Sequence, residues 1–233
     1  MRPLAGGLCS VCGERLVSPY AFSGEHGEPR CGVCRRLEPP FARAAAYGSY
    51  EGGLRDLIHL LKYQQVRPAA SVLGRMLAEA ILGLETGFGG HVLVVPVPLH
   101  ARKQRQRGFN QSELIARAAL KQRPKEDRLS LRTDILERRR ETSSQIGLTS
   151  HQRRQNLRGA FAVVKPEAVA GQEILLVDDV LTTGTTASEC ARVLRRAGVS
   201  KVWVATVART LKLNMAGVEL LKEHEPAAMA AAG

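Results

Sequence analysis

The chain is 233 residues long, with 44% hydrophobic and 24% charged residues, a size and composition that fit one packed core domain plus a small appendage. Lysine and arginine outnumber aspartate and glutamate by 34 to 22, and the resulting net charge of +12 favours polyanionic partners, either a multiply phosphorylated small molecule or a nucleic acid. No apolar run approaches the ~18 residues of a membrane helix, no signal-peptide core precedes Cys9, and aromatic residues, at 4%, are too few for base stacking to dominate binding; a cytoplasmic protein is expected.

Cys9, Cys12, Cys31 and Cys34 make two C-x2-C pairs separated by 18 residues, the spacing of a four-thiolate zinc site. Each pair belongs on a tight knuckle, and Gly13 and Gly32 suit the turns that knuckles require. The polar, glycine-containing spacer has little to bury, so a metal would supply much of its order. His26 lies in the spacer as a substitute ligand, but four cysteines already complete a tetrahedron. Two disulfides are the competing reading, disfavoured in a reducing compartment, and a redox role is weaker still because the motif occurs twice. A structural zinc module over residues 1–40 is therefore expected, ending at Pro39 and Pro40.

A larger unit should occupy residues 41–210. Residues 44–50 suit a strand or an edge hairpin. Residues 52–64 predict an amphipathic helix, with Leu54, Leu57, Ile58 and Leu61 on one stripe and Lys62 and Tyr63 closing it. A second helix is predicted over 69–84, carrying Val72, Met76, Leu77, Ala80 and Ile81. Both should pack on a sheet, and His59, near the apolar stripe, reads as a satisfied core histidine. Residues 91–97 form a continuous apolar strand. The basic segment after it holds Arg102, Lys103, Arg105 and Arg107 within six residues, and Asn110, with Glu113 as a capping-box partner, opens a helix to about residue 122.

Further strands are predicted over 133–137, 161–164, 174–178 and 201–208, giving an α/β fold with a parallel sheet covered by helices on both faces. Cys190 should be a buried small hydrophobe. From residue 211 the pattern fades through Pro226 into alanines, so 211–233 reads as a weakly structured tail.

The densest chemistry lies in residues 174–186. A short apolar strand ends at Asp178 and Asp179. Thr182, Thr183, Gly184, Thr185 and Thr186 follow, and a helix is predicted over 187–197. Loop amides, threonine hydroxyls and a helix N-terminus make a phosphate cradle. Two carboxylates beside it make sense if they accept hydrogen bonds from sugar hydroxyls, which describes a ribose 5-phosphate. The thirteen consecutive residues closely resemble the phosphoribosyl-pyrophosphate (PRPP) motif of type I phosphoribosyltransferases.

Two more segments extend the likeness. VPVPLH…RGFNQ resembles the ComF family of competence proteins, which join a small zinc module to a phosphoribosyltransferase-like domain. The set Arg140, Thr142, Gln145, Arg154, Asn156 and Phe161 resembles the loop that closes over PRPP. The resemblance implies Mg-dependent binding of PRPP and phosphoribosyl transfer with pyrophosphate release to an acceptor that the sequence does not identify. Asp178 and Asp179 would hold the ribose hydroxyls, residues 182–186 the 5-phosphate, Arg102, Lys103, Arg105 and Arg107 the pyrophosphate, and Arg140 and Gln145 the closed state. It also implies a second reading, a non-catalytic accessory of DNA uptake that holds single-stranded DNA and works with other competence proteins.

Overall fold

The computed structural model describes residues 3–4, 6–16, 28–123, 128–141 and 150–211. Its centre is a five-stranded, all-parallel sheet of β1 (Arg43–Ser49), β2 (Val92–Pro96), β3 (Leu129–Leu131), β6 (Glu173–Leu181) and β7 (Lys201–Arg209), in the order β1-β7-β6-β2-β3. The apolar runs are continuous because both faces are covered. Val92, Val94, Leu175, Val177 and Ala205 enter one buried cluster, and Leu93, Val95, Ile174, Leu176 and Val204 enter the other.

Helices α2 (Gly52–Tyr63), α3 (Ala69–Leu82) and α5 (Gln111–Leu120) supply the first cluster. Helix α3 lies so close to α5 that a Cβ on Gly74 would fall 2.5 Å from that of Ala118, a contact only glycine permits. Helix α7 (Thr185–Arg196) covers the second face through Ala187, Cys190, Ala191 and Leu194, and Cys9, Val11, Cys34 and Phe41 join the same cluster. Cys190 is fully buried there, as its sequence context predicts.

Two strands predicted for the parallel sheet belong elsewhere. Residues 136–138 (β4, Leu136–Arg138) and 161–163 (β5, Phe161–Val163) form a separate antiparallel pair. The sheet's own edge strand is β3, only three residues long. Three residues, Leu-Ser-Leu, are too short to read a period from, and the adjacent Ile135 and Leu136 within 133–137 drew the assignment instead. The predicted basic loop after β2 contains a seven-residue helix, α4 (Ala101–Arg107), opened by His100 and stopped by left-handed Gly108 at φ 77°. A short helix, α6 (Ser150–Leu157), precedes β5, and a single turn, α1 (Gly32–Arg36), follows Cys31. Residues 212–233, expected to be a tail, lie outside the described residues. Among the described residues no helix is long and apolar enough to cross a membrane.

Candidate functional site

The carboxyl edge of the parallel sheet is where the chemistry-bearing residues meet. Strand β6 runs past both acids to Leu181, pairing Asp178 with Thr206 and Leu181 with Arg209. The turn after it is short: Gly184, left-handed at φ 75°, opens the twelve-residue helix α7, and the hydroxyls of Thr183 and Thr185 lie 2.8 Å apart. Thr182 and Thr183 are exposed, and Gly184, Thr185 and Thr186 half-buried. The first amides of a helix and exposed hydroxyls thus sit together, an arrangement that suits an anion.

The two acids are held differently. Asp179 is 4% exposed, and its Oδ2 lies 2.7 Å from the ammonium of Lys62, at the end of α2. Burial penalises that ammonium, but attraction and hydrogen bonding from Asp179, with further attraction from Asp178, hold its pKa above the usual lysine range. Asp178 accepts from Ser112 Oγ at 3.0 Å and from the amide of Asp179 at 2.9 Å, both on Oδ1. Loss of water and the neighbouring Asp179 push its pKa up to about 7, against the pull of Lys62.

Ser112 is placed by the start of α5. Asn110 Oδ1 accepts from the Ser112 amide at 3.0 Å while its Nδ2 donates to the Val97 carbonyl, tying the helix to the end of β2. Glu113 does not close the expected capping box; its carboxylate pairs with Arg117 one turn on, at 2.8 Å.

Arg102, Lys103 and Arg105 are exposed on α4, and Arg107 is half-buried, its guanidinium 5.8 Å from the Tyr63 ring. Lys103 stays exposed overall, yet its pKa is drawn down by loss of water around the ammonium and then by Arg138 and Arg107. Cations that repel one another in this way gain by taking up an anion. Arg138, on β4, is the cation here that sequence reasoning missed; its pKa is lowered first by burial, and it lies over the Phe161 ring at 5.3 Å. Between α4, β4 and α5 lies a cavity of about 430 Å³ lined by Pro98, Gln104, Asn110, Thr133 and Arg138 among others; neither acid lines it, although Pro96, which does, pairs with Val177 beside Asp178. Another hollow, about 440 Å³, lies farther along α5 at Arg117, Lys121 and Leu131.

Arg140 donates to the carbonyls of Asn156 and Arg158, at 2.7 and 2.9 Å, closing the end of α6. Thr142 and Gln145 lie outside the described residues, as does the side chain of Arg154. His59 is satisfied by the Tyr50 hydroxyl at 2.9 Å.

The second site is the cysteine cluster. The four sulfurs lie within 4.8 Å of one another, all as free thiols, with Cys12 and Cys31 3.7 Å apart. A four-sulfur zinc tetrahedron, with bonds near 2.3 Å, has edges of roughly 3.8 Å, so the cluster is close to the size that a zinc ion needs. Hydrogen bonds from Cys12 and Cys34 pull Cys9 down, while bonds to Cys12 and Cys9 and then burial push Cys34 up; a cation would remove that division. Arg209, 5% exposed at the end of β7, donates to Cys12 Sγ at 3.6 Å and to Glu14 at 3.0 Å. Sequence reasoning passed over Arg209 as well as Lys62. Lys62 did leave a signal: it stands four residues after Ile58, on the helix's buried stripe.

Known proteins match this chain along most of its length. The phosphoribosyl transferase domain family matches residues 127–230. The DNA utilization protein YhgH of Escherichia coli K12 is 34% identical over 215 residues, covering 88% of this chain and 91% of that protein. Competence protein F of Haemophilus influenzae is 32% identical, covering 87% and 90%. Among solved structures, a hypoxanthine phosphoribosyltransferase from Staphylococcus aureus aligns with 64% of this chain and 69% of its own, at 13% identity and a TM-score of 0.39. With its parallel sheet, its acidic strand end and its amino-terminal cysteine cluster, the chain belongs to the ComF family of phosphoribosyltransferase-like proteins.

Proposed function

We propose that this protein binds PRPP and transfers its phosphoribosyl group to a nucleophilic acceptor, releasing pyrophosphate, in the setting of DNA uptake or use that the names of its relatives describe. The observation that carries the reading is the adjacency of the acidic strand end to the threonine turn, whose Gly184 opens α7. Residues 182–186 take the 5-phosphate, and the acidic strand end takes the sugar diol. Arg102, Lys103, Arg105 and Arg107 face the pyrophosphate, with Arg138 beside them.

In the transfer, the bond from C1 to the pyrophosphate oxygen breaks and its electron pair leaves with pyrophosphate. The acceptor's lone pair forms the new bond to C1, and the acceptor's proton passes to solvent. Negative charge grows on the leaving group, so fixed cations near it lower the barrier. Magnesium would come with the ligand rather than rest on Asp179, which Lys62 already balances, and would supply neutralisation of part of the leaving group's charge. Zinc at Cys9, Cys12, Cys31 and Cys34 is structural, because four thiolates leave no open position.

A second reading, a single-stranded DNA-binding accessory, is favoured by one feature. Tyr63 is 67% exposed, edge-on to His59 and beneath Arg107, next to a helix with four cations and no acidic residue. A stackable ring among cations is what single strands bind. Titration calorimetry with Mg-PRPP tests the first reading, which expects a saturable heat that Asp178→Asn abolishes. No heat with the wild type, alongside oligonucleotide affinity that falls steeply with salt, moves the assignment to the second.

A further inference from the structure

We infer that the two acids of the motif do different work: Asp178 is the carboxylate that meets the sugar, and Lys62 is a positioning residue that binds Asp179, keeps it out of the ligand's space and sets the charge that Asp178 feels. The inference rests on the sugar-phosphate reading and divides a role that the sequence resemblance assigns to both acids together.

The geometry is asymmetric from the start. Successive residues of a strand point to opposite faces. Asp179 follows Val177 and Leu175 onto the face that α2 covers, where Leu61 and Ile58 precede Lys62. Its carboxylate is buried and an ammonium occupies it at 2.7 Å. A neutral hydroxyl cannot take that ammonium's place, because the exchange would leave a buried charge uncompensated. Asp178 is half-buried, and its Oδ1 is taken by Ser112 and a backbone amide. Its Oδ2 has no protein partner among the described residues and is not sealed from solvent. One oxygen therefore anchors the side chain and the other is free to accept from a ligand.

The arrangement explains why a lysine stands on the buried stripe of an otherwise apolar helix face. Without it, two adjacent carboxylates would have to share one charge. The charged and titratable groups around the pair are Lys62 from α2, Arg138 from β4, Cys190 from α7, and Tyr50, which reaches Lys62 from the segment before α2. Among the described residues, Lys62 makes the ion pair with this acidic strand end, through Asp179.

The test uses the full chain, with Mg-PRPP as the probe and a second readout that needs no ligand. Lys62→Met should weaken PRPP binding about tenfold at pH 7, because the last proton leaves the acid pair at higher pH when the neighbouring positive charge is gone. The pH midpoint of binding should rise by about one unit. Carboxyl carbon NMR of the unliganded protein should show the same upward movement of the pair's upper titration step. Asp179→Asn should move the titration of Asp178 the other way, downward, because the neighbouring carboxylate is gone and Lys62 is left facing Asp178, and in the double variant the two shifts should largely cancel. Lys62→Arg keeps the charge and should restore binding to within about threefold.

A folded Lys62→Met protein with unchanged PRPP affinity and an unmoved carboxyl titration overturns the inference. So does a double variant whose carboxyl titration stays as high as that of Lys62→Met, or a folded Lys62→Arg that binds no PRPP, which would make the ammonium a direct contact. If the wild type itself gives no PRPP binding, the sugar reading fails and Asp178 loses its assigned ligand, while the carboxyl titration still decides whether Lys62 governs the pair.

Discussion

At the scale of single residues, the pKa of Asp178 makes a prediction about stability. Its folded-state value is raised to about 7 from the ordinary 3.8. Between those values the folded protein holds a proton that the unfolded chain has lost, so this group favours folding at low pH and that contribution disappears as pH rises toward 7. Asp178→Asn, which keeps an acceptor for Ser112, should therefore be more stable than the wild type at pH 8, on the order of 2 kcal/mol once partial exposure is discounted, and should lose the advantage near pH 4. Urea unfolding at the two pH values measures it. The acids and the threonine turn were legible because a phosphate cradle is a local device, written in adjacent letters. Lys62 was not, since its partner lies 117 positions away; the only trace is a charged residue on an apolar stripe. Ser112 left no trace at all, because a serine beside a helix cap is ordinary on its own.

Elements explain why the site's residues hold still. Helix α5 begins where β2 ends because Asn110 serves both, capping Ser112 and donating to Val97. Asn110→Ala should cost roughly 2–3 kcal/mol, combining a lost cap with a buried carbonyl left without its donor, and should loosen Ser112 from Asp178, so PRPP affinity falls along with the urea midpoint. Periodicity identified α2, α3 and α5 because each has a clear apolar stripe. It failed at α4, whose seven residues are all polar or small, and a helix with no buried side chain has no stripe to read. It failed also at β4 and β5, since alternation within three residues does not say which sheet a strand joins. Arg140 shows the same limit from the other side: its place in a familiar pattern points at a ligand, while its guanidinium here closes α6.

For the whole molecule, the cysteine cluster and the sheet share one buried core, with Cys9 and Cys34 packed in the same cluster as Leu176 and Val204. Metal loss should accordingly reach beyond the amino-terminal segment. Protein purified without added metal should carry one zinc per chain, and stripping it with a chelator should lower the melting temperature by about 10 °C in a single broadened transition. Arg209→Met, which removes the donor to Cys12 and Glu14, should weaken zinc about tenfold in a chromophoric chelator competition. Spacing alone revealed the four ligands; Arg209 was invisible because it lies 197 positions from Cys12.

The pairing of β1 with β7 bears on how the protein is made. Ribosomes deliver the amino terminus first, yet among the described residues the strand neighbour of β1 is β7, and the arginine that touches Cys12 is the last residue of that strand. A nascent chain halted before residue 201 has its cysteines and its first strand but lacks the strand that pairs with β1 and the arginine that reaches Cys12. Limited proteolysis of such stalled chains should cut between residues 36 and 50, and release of ten further residues should close the cut.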